Sequence, residues 1–212
     1  MFTIRPYREE DAQGCGMCLY DGFFTCEVDE NDLLFLKAYA QVLIEKCNFT
    51  YVAETKDHEI AGFVSGKYNK CFSKALATHY DAKQHYGEWC KMFVRFYTKG
   101  YHLSPAFQKQ FDDFFMQLKE RDEKTFGTCD LELVALTSRK IYRKGVGTAL
   151  VDQFLRRAMN DGAGSVRLFT NTLASWKFYE KQGFVQVARK PFCDGSGQLS
   201  LVYAYDASRK KG

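Results

Sequence analysis

The sequence lacks any apolar stretch long enough to cross a bilayer, which takes about 20 consecutive apolar residues. Its N-terminal residues 1–5 lead directly into a predicted strand and have no signal-peptide pattern. The net positive charge is also small, at a formal +4, and cations cluster only at 139–144 and 209–211. These absences argue that the protein is not a membrane protein, a secreted protein or a nucleic-acid-binding protein. We therefore expect a cytoplasmic location, with neither membrane nor nucleic acid as a partner.

Metal-site spacing is absent as well. One CxxC pair, Cys15 and Cys18, has no second pair at a zinc-site distance, and His79, His85 and His102 match no metal motif. The 8 cysteines are spread through predicted helices and strands, unlike the dense frameworks of small secreted domains. We predict free thiols, no metal site, and a CxxC made of two small apolar residues on a helix. The alternative for this pair is a redox or metal role.

The most informative stretch is 129–155, which reads CDLELVALTSRKIYRKGVGTALVDQFL. Its first part, Leu131–Thr137, has the Leu and Val content of a strand. From 145–148 onward the apolar residues recur at helical spacing, which predicts a helix with one buried stripe. The residues of this stripe are Val146, Leu150, Val151, Phe154, Leu155, Ala158 and Met159.

The loop between this strand and this helix has the features of an anion site. Gly145 and Gly147 allow a tight turn and a close approach of the backbone to a ligand. The free N–H groups at the helix start point outward as donors for an anion. A Walker loop would need a Lys-Ser/Thr pair, and a dinucleotide fingerprint would need a third glycine. The loop therefore predicts a pyrophosphate site of another kind, and the alternative is an ordinary glycine turn. Four cations of matching sign lie in the loop: Arg139, Lys140, Arg143 and Lys144.

A second stretch, 171–184, reads NTLASWKFYEKQGF. Together the two stretches resemble the GNAT superfamily of acetyl-CoA-dependent N-acetyltransferases. The family's cofactor motif, Gln/Arg-x-x-Gly-x-Gly/Ala, is matched except that Tyr142 stands where Gln or Arg is usual, with Arg143 displaced by one. The later motif, Asn-x-x-Ala-x-x-hydrophobic-Tyr-Glu-Lys-x-Gly-Phe, is matched almost completely. The resemblance covers 129–190 and, more weakly, 1–68.

The resemblance implies one α/β domain over 1–212 with the GNAT fold. That fold is a mixed, mostly antiparallel sheet of about seven strands with helices on both faces and a parallel central pair that splays apart. Here the pair would be Leu131–Thr137 and Val166–Thr170, joined by the intervening helix. Residues 69–127 are far longer than the usual short turn and are predicted to form a helical, aromatic-rich insertion. Three roles remain open for it: a cover over the acceptor pocket, a dimer contact, or additional core.

Local signals give further expectations for helices. Gly14 and Gly16 weaken the first helix, which we expect to be bent or interrupted there. In the insertion, Ser104 followed by Pro105 predicts a helix that continues to about Lys124, and a second helix is expected within 73–97. A further helix is predicted from Leu173 to Gln182, ended by Gly183.

The resemblance also implies acetyl-CoA as co-substrate, without a metal. The pantetheine arm would enter the gap between the parallel strands and bond to the first strand as an added strand does. Asn171 would lie at the mouth of the gap, and it also suits a helix cap. The cofactor-binding residues expected on this basis are Val134, Ala135, Leu136, Thr137, Tyr142, Arg143, Lys144, Gly145, Val146, Gly147, Thr148, Asn171 and Ser175.

The implied reaction is a direct attack of a primary amine on the thioester within a ternary complex. The family motif places Tyr179 beside the sulfur as general acid to the departing thiolate, and core packing is the alternative role. Glu132 and Asp130 are the candidate bases, with Glu132 preferred. Strict alternation puts both carboxylates on one face with Val134 and Leu136, unless a β-bulge intervenes.

The acceptor is left open between a small amine and an amine of a peptide or protein. Family members line the acceptor cleft with the region between the first two helices, here residues 20–27. Aromatic residues beside Asp21 and Glu27 suit a cationic amine, and loop packing with solvated acids is the alternative. A different function also stays open, namely a non-catalytic acyl-CoA-binding module or sensor. A homodimer is a further possibility.

Overall fold

The computed structural model of the protein describes residues 1–69 and 82–210. Within these residues, one seven-stranded sheet has the order β1-β2-β3-β4-β5-β7-β6. All neighbouring strands are antiparallel except β4 and β5, which are parallel. The predicted mixed α/β fold with a parallel central pair is therefore confirmed. The strands are β1 Phe2–Pro6, β2 Phe49–Thr55, β3 Ile60–Tyr68, β4 Leu131–Ser138, β5 Ser165–Asn171, β6 Val185–Pro191 and β7 Leu199–Asp206.

Helices cover both faces of this sheet, and each face has its own apolar core. On one face α6 lies against the sheet, and its predicted apolar stripe is buried from Val146 to Ala158, with Met159 partly buried. On the opposite face, α1 and α2 pack with α3 and α4 around aromatic side chains. The helices are α1 Ala12–Phe23, α2 Glu30–Glu45, α3 Ala82–Tyr97, α4 Pro105–Lys119, α5 Glu123–Phe126, α6 Arg143–Asn160 and α7 Lys177–Lys181.

The parallel strands β4 and β5 are paired over only part of their length. Their register runs from Leu131 opposite Val166 to Leu133 opposite Leu168. Beyond this point β4 continues to Ser138 and pairs only with β3, while β5 continues and pairs only with β7. The two strands therefore diverge, and the C-terminal half of β4 has an unpaired edge facing the gap.

A β-bulge in β4 reverses the orientation of its side chains halfway along the strand. Ser65 of β3 pairs with Ala135, but the next residue of β3 pairs with Leu133, so Val134 is the extra residue. Before the bulge, Leu131 and Leu133 point to the α6 core. After it, Ala135 packs against the opposite core. The β-bulge that the sequence left open is thus present, and it interrupts the two-residue period so that Glu132 does not share a face with Leu136.

Helix α1 is continuous from Ala12 to Phe23, contrary to the interruption expected from its glycines. A side chain at Gly14 would lie only 2.6 Å from Ile60 of β3, and one at Gly16 would lie 3.0 Å from the backbone of α2. These glycines therefore permit close packing on both sides of the helix, which offsets their low helix propensity. The packing stabilises a helix that local propensity alone disfavours.

Cys15 and Cys18 are completely buried on α1. Burial raises the pKa of Cys18 to about 12 and that of Cys15 well above its usual value, so both thiols remain protonated. The two cysteines therefore have the buried surroundings that suit small apolar residues on a helix. The cysteines in the described part of the chain are free thiols.

The segment 82–127 contains three helices and contributes much of one core. The helix predicted from Ser104 to about Lys124 ends earlier, because α4 stops at Lys119 and a separate short helix, α5, follows. The helix expected within 73–97 is α3, and residues 70–81 lie outside the described part of the chain. The side chains of this segment that are buried in the core are Met92, Phe93, Phe96, Tyr101, Phe107, Phe111, Phe114 and Phe126.

Candidate functional site

The start of α6 has the tight turn that the sequence predicts. Lys144 departs from helical geometry with ψ 101°, and Gly145 has φ +84°, a conformation that glycine adopts without steric cost. Regular helix follows, so the first amides after the turn have no partners within the helix. Gly147 serves a different purpose, since a side chain there would lie 3.3 Å from the ring of Phe178. One glycine thus makes the turn and the other lets α7 pack close to α6.

The cations of this loop do not all face solvent. Arg139 donates to Asp21 of α1 at 2.8 Å, and the same carboxylate accepts from the Lys140 backbone N–H at 3.0 Å. The Arg139 charge is therefore balanced within the fold. Lys140 and Lys144 are exposed beside the turn, and the side chain of Arg143 lies outside the description. Among the described side chains of this loop, the two lysines supply the accessible positive charge.

Tyr142, which replaces the usual Gln or Arg of the motif, contacts the β2–β3 turn. Its hydroxyl donates to the carboxylate of Glu59, and this hydrogen bond raises the pKa of Tyr142 above its ordinary value. Its ring packs against the α6 core. The side chain therefore fastens the loop to the β2–β3 hairpin, and the amides around Gly145 are the groups left for an anion.

The C-terminal half of β4 presents its backbone to the gap. Arg139 N–H donates to Ala61 of β3 at 2.8 Å, so by alternation Thr137 also faces β3, while Leu136 and Ser138 direct their N–H and C=O groups toward the gap. The hydroxyl of Thr137 is buried and donates to the Cys18 carbonyl at 2.7 Å. Of the four predicted positions 134–137, Leu136 therefore offers its main chain to a ligand.

Asn171 lies at the end of β5, on the other side of the gap. Its side-chain oxygen accepts from the Leu173 and Ala174 amides at 3.0 and 3.1 Å, so it caps the turn that follows β5. The predicted helix-capping role is not met, because the N-cap of α7 is Trp176, which makes no side-chain capping bond. Its side-chain nitrogen donates to Gln117 of α4 at 3.3 Å. Ser175 follows in the same turn and is exposed. Asn171 thus links the turn before α7 to the opposite face of the sheet.

Helix α7 is shorter than predicted, since regular helix covers only Lys177–Lys181 and the residues before it form a turn. It ends before Gly183, whose φ is +86°. The ring of Tyr179 is partly buried among the rings of Phe178, Phe184 and Tyr203. Desolvation raises the pKa of Tyr179 to about 12, which keeps the phenol protonated across the ordinary pH range.

The two candidate bases have different surroundings. Asp130 lies just before β4 and accepts three hydrogen bonds from Gly164 N–H and from the N–H and hydroxyl of Ser165. It therefore stabilises the turn into β5. Glu132 lies on β4 before the bulge and receives both guanidinium nitrogens of Arg121. Because of the bulge, Glu132 shares its face with Ala135 and not with Leu136.

Glu132 lies among cations on the face opposite α6. Lys67 of β3 and Arg167 of β5 are its direct neighbours across the sheet. Arg121 lies 4.1 Å above the ring of Phe126, and Arg167 donates to the Phe126 carbonyl. These contacts fix the chain after α4 against the paired roots of β4 and β5. Sequence patterns gave no sign of Arg121, because its partner is brought near only by the fold.

The expected acceptor-cleft residues 20–27 are held by internal contacts. Tyr20 donates to the Cys26 carbonyl at 2.6 Å, and Asp21 is paired with Arg139. Glu27 is exposed. These contacts match the alternative of loop packing with a solvated acid, and they leave the aromatic side chains as the groups that line the end of α1.

A separate cavity of about 490 Å³ lies at the other end of α1, beside the β2–β3 hairpin. Its charged lining is largely paired, since Arg5 donates to Asp11 at 2.7 Å and to Glu54 at 2.8 Å. This ion-pair network fastens β1 to α1 and β2. The lining also includes Glu59 and Arg139, so the cavity lies beside the loop that leads to α6 and not between β4 and β5.

The described residues form neither a cluster of metal-ligating side chains nor a membrane-spanning helix. In the described chain, no group of three or more His, Cys, Asp or Glu side chains is arranged to hold a metal ion. His79 and the side chain of His85 lie outside the description, and His102 is exposed with φ +51°. Within 1–69 and 82–210, no helix combines the length and apolar content that a bilayer span requires.

Comparison with solved structures identifies the same fold in several acetyltransferases. Ard1 from Thermoplasma volcanium matches with a TM-score of 0.57 and 15% identity, over 97% of both chains. The ribosomal-protein-S18-alanine N-acetyltransferase from Escherichia coli matches at 0.54 and 13%, over 98% of this chain and 94% of that one. Naa20 from Chaetomium thermophilum, in complex with a bisubstrate analogue, matches at 0.51 and 18%, over 99% and 90%. No curated protein sequence matches the chain.

A family model gives the assignment that these distant structures cannot give alone. The model of the acetyltransferase (GNAT) family matches residues 17–184, which is most of the chain and includes β4, α6, β5 and α7. The splayed pair, the turn at Gly145 and the motif around Tyr179 all lie within the matched range. The chain belongs to the GNAT acetyltransferase family and is an acyltransferase.

Proposed function

We propose that the protein transfers the acetyl group of acetyl-CoA to a primary amine by direct attack in a ternary complex. The observation that carries the proposal is the combination of an unpaired β4 edge with a helix start whose amides are free, on the two sides of one gap. An elongated molecule with a diphosphate at one end and amide groups along its length suits both features. Acetyl-CoA has this form.

The diphosphate would bind at the turn into α6. The backbone amides of 145–148 supply hydrogen-bond donors, and the exposed Lys140 and Lys144 supply charge of the right sign. Tyr142 would act indirectly, by holding the loop to Glu59. Arg143, Val146 and Thr148 belong to the same helix start. The residues of this stretch therefore fit the group that the family requires.

The pantetheine arm would lie along 134–137, with hydrogen bonds to the main chain of Leu136. Asn171 and Ser175 would border the arm from the β5 side. A backbone N–H of β4 beside the thioester carbonyl would also stabilise the oxyanion that forms during attack. The strand thus has a binding and a catalytic purpose in this proposal.

Tyr179 would donate a proton to the departing thiolate. The thiolate has a pKa of about 8.5, judged by free cysteine, and a protonated phenol is a sufficient acid for it. The pKa of Tyr179, raised by burial to about 12, keeps the phenol protonated before attack, and it also makes the phenol a weaker acid than an ordinary tyrosine. The nitrogen–carbon bond forms, the carbon–sulfur bond breaks, and the phenol proton passes to the sulfur. The nitrogen loses its second proton as the amide forms, and that proton returns through water to the phenolate.

Glu132 would accept the proton that the ammonium form of the acceptor loses, directly or through water. Its carboxylate lies on the face that carries the end of α1 and all of α4, away from α6. The ion pair with Arg121 holds that carboxylate in one orientation. Asp130 is not proposed as a base, because its oxygen is used by the turn at Ser165.

The acceptor is proposed to be a small amine or the amine of a peptide or protein. The ribosomal-protein-S18-alanine N-acetyltransferase from Escherichia coli acts on a protein according to its name, and this chain is only 13% identical to it. The direct test is release of free thiol from acetyl-CoA in the presence of a panel of amines. Thiol release that depends on the amine supports the enzyme. Binding of acetyl-CoA without turnover on any amine would instead favour a non-catalytic acyl-CoA-binding module.

A further inference from the structure

One face of α4, together with Arg121 two residues beyond its end, contacts both sides of the gap. The residues that form this α4 stripe are Gln110, Phe114, Gln117 and Arg121, separated by steps of four, three and four residues. Side chains at this spacing share one face of a helix. The stripe spans 12 residues, of which the ten from 110 to 119 lie in α4 and cover about 15 Å at helical rise.

The first half of the stripe contacts the end of α1. Gln110 accepts from the Thr25 N–H at 2.9 Å and donates to the Thr25 hydroxyl at 3.1 Å. The ring of Phe114 lies 4.8 Å from that of Phe23 and 5.6 Å from that of Phe24. The end of α1 in turn lies over the unpaired part of β4, because a side chain at Gly22 would meet the Thr137 hydroxyl at 2.6 Å.

The second half of the stripe contacts the two parallel strands. Gln117 accepts from Asn171, which ends β5 on the far side of the gap. Arg121 binds Glu132, which lies where β4 and β5 are still paired. Phe114 and Gln117 are one helical turn apart, yet they contact opposite sides of the gap. The helix therefore crosses the gap on the face that α6 does not occupy.

Further contacts fix the position of α4. Asp32 is fully buried in α2 and accepts from both the N–H and the hydroxyl of Ser104, the N-cap of α4. At the other end, Glu120 accepts from the Cys193 N–H at 3.1 Å in the β6–β7 loop. A helix held at both ends and packed along its length forms a fixed wall.

We propose that the α4 stripe forms a wall over the acceptor side of the gap, and that Gln117 and Phe114 determine specificity by admitting only amines carried on a narrow, linear chain. This inference rests on the proposed function and names the substrate class for it. Amines on a bulky group, or on the surface of a folded protein, would collide with the wall before reaching the thioester.

The test uses coenzyme A derivatives that need no turnover and no knowledge of the acceptor. The sulfur carries a –CH₂–C(O)–NH–R group, in which R is n-hexyl in one probe and adamantyl in the other. We expect calorimetry with the wild-type protein to give tight binding of the n-hexyl probe and binding of the adamantyl probe that is about tenfold weaker or worse. Gln117→Ala should reduce this ratio, and Gln117→Trp should weaken even the n-hexyl probe.

Gln108→Ala is the matched control, because Gln108 lies on the same helix but on another face. Its ratio of affinities should equal that of the wild type. Equal affinity of the two probes in the wild type would contradict the proposal that the α4 stripe selects the acceptor. A ratio of affinities that the Gln117 variants leave unchanged would contradict it as well. Unmodified coenzyme A separates a failure of the wall from a failure of the proposed function, since the absence of its binding would overturn the proposed function itself.

Discussion

The two faces of the sheet are built in different ways. The α6 face consists of one β4–α6–β5 unit whose parts follow one another in the sequence between 131 and 171. The α4 face is assembled from distant segments, since Ser104 contacts Asp32, Gln110 contacts Thr25, and Gln117 contacts Asn171. If the proposed function holds, cofactor binding is encoded locally, whereas acceptor selection depends on long-range packing.

The largest expected effect concerns the α6 face. Gly147→Asp should abolish coenzyme A binding, because it adds a negative charge at the helix start and a side chain against Phe178. The measurement is calorimetry at a temperature where circular dichroism shows the variant folded. Arg156→Asp is the control, since it changes the charge by more on an exposed part of the same helix and should leave binding intact. Unchanged affinity of Gly147→Asp would refute the diphosphate site.

Tyr179→Phe tests the chemistry on that same face. Removing the acid should lower kcat by about 10²–10⁴-fold, with coenzyme A affinity unchanged. Tyr205→Phe is a matched control, because Tyr205 belongs to the same aromatic cluster and its ring lies 5.2 Å from Phe184. Full activity of Tyr179→Phe would remove the phenol from the mechanism and leave it a packing role.

Phe154→Ala and Phe111→Ala compare the two cores directly. Each ring is fully buried, so each truncation should destabilise the protein by about 3–5 kcal/mol in denaturant unfolding. We expect only Phe154→Ala to weaken coenzyme A binding, because Phe154 supports α6 while Phe111 lies in the α4 core. A small destabilisation by Phe111→Ala would show that α4 is not an integral part of the fold.

The sequence predicted more of the α6 face than of the α4 face. The apolar stripe of α6 and the turn at Gly145 were predicted, because periodicity and glycine are local signals, and the divergence of the parallel strands was implied by the family resemblance. The orientation of Glu132 was not, since the bulge at Val134 depends on the pairing with β3. Arg121 and Gln117 gave no signal at all, because their partners lie on other elements. The end of α4 was placed too late, since Glu120 is drawn into contacts with the β6–β7 loop.

Glu132→Gln tests the proposed base, which lies on β4 on the face that carries α4. Loss of the base should lower kcat/KM by about 10–100-fold at a pH where the acceptor amine is protonated, with less effect at higher pH. Glu123→Gln is the control, because Glu123 binds the same guanidinium at 3.0 Å but is largely exposed. Equal effects of the two variants on kcat/KM would indicate that Glu132 only positions Arg121 and does not act as a base.

The pH profile should show the smallest change. An acid must be protonated to act, so its contribution is complete below its pKa and is lost as the pH rises through that value. Because the pKa of Tyr179 is about 12, kcat should not fall between pH 9.5 and about 11, where an ordinary tyrosine of pKa about 10 would already ionise. A descending limb centred near 10, in protein that remains folded, would contradict the buried phenol.

Hydrogen–deuterium exchange with and without coenzyme A tests the central claim most directly, since it locates the bound molecule on one of the two faces. The proposed site predicts slower exchange at the amides of 136–138 and 145–150, with little change in α2. Slower exchange confined to α2 or to the cavity beside Arg5, or no change anywhere at saturating coenzyme A, would contradict the claim that the gap between β4 and β5 binds the cofactor.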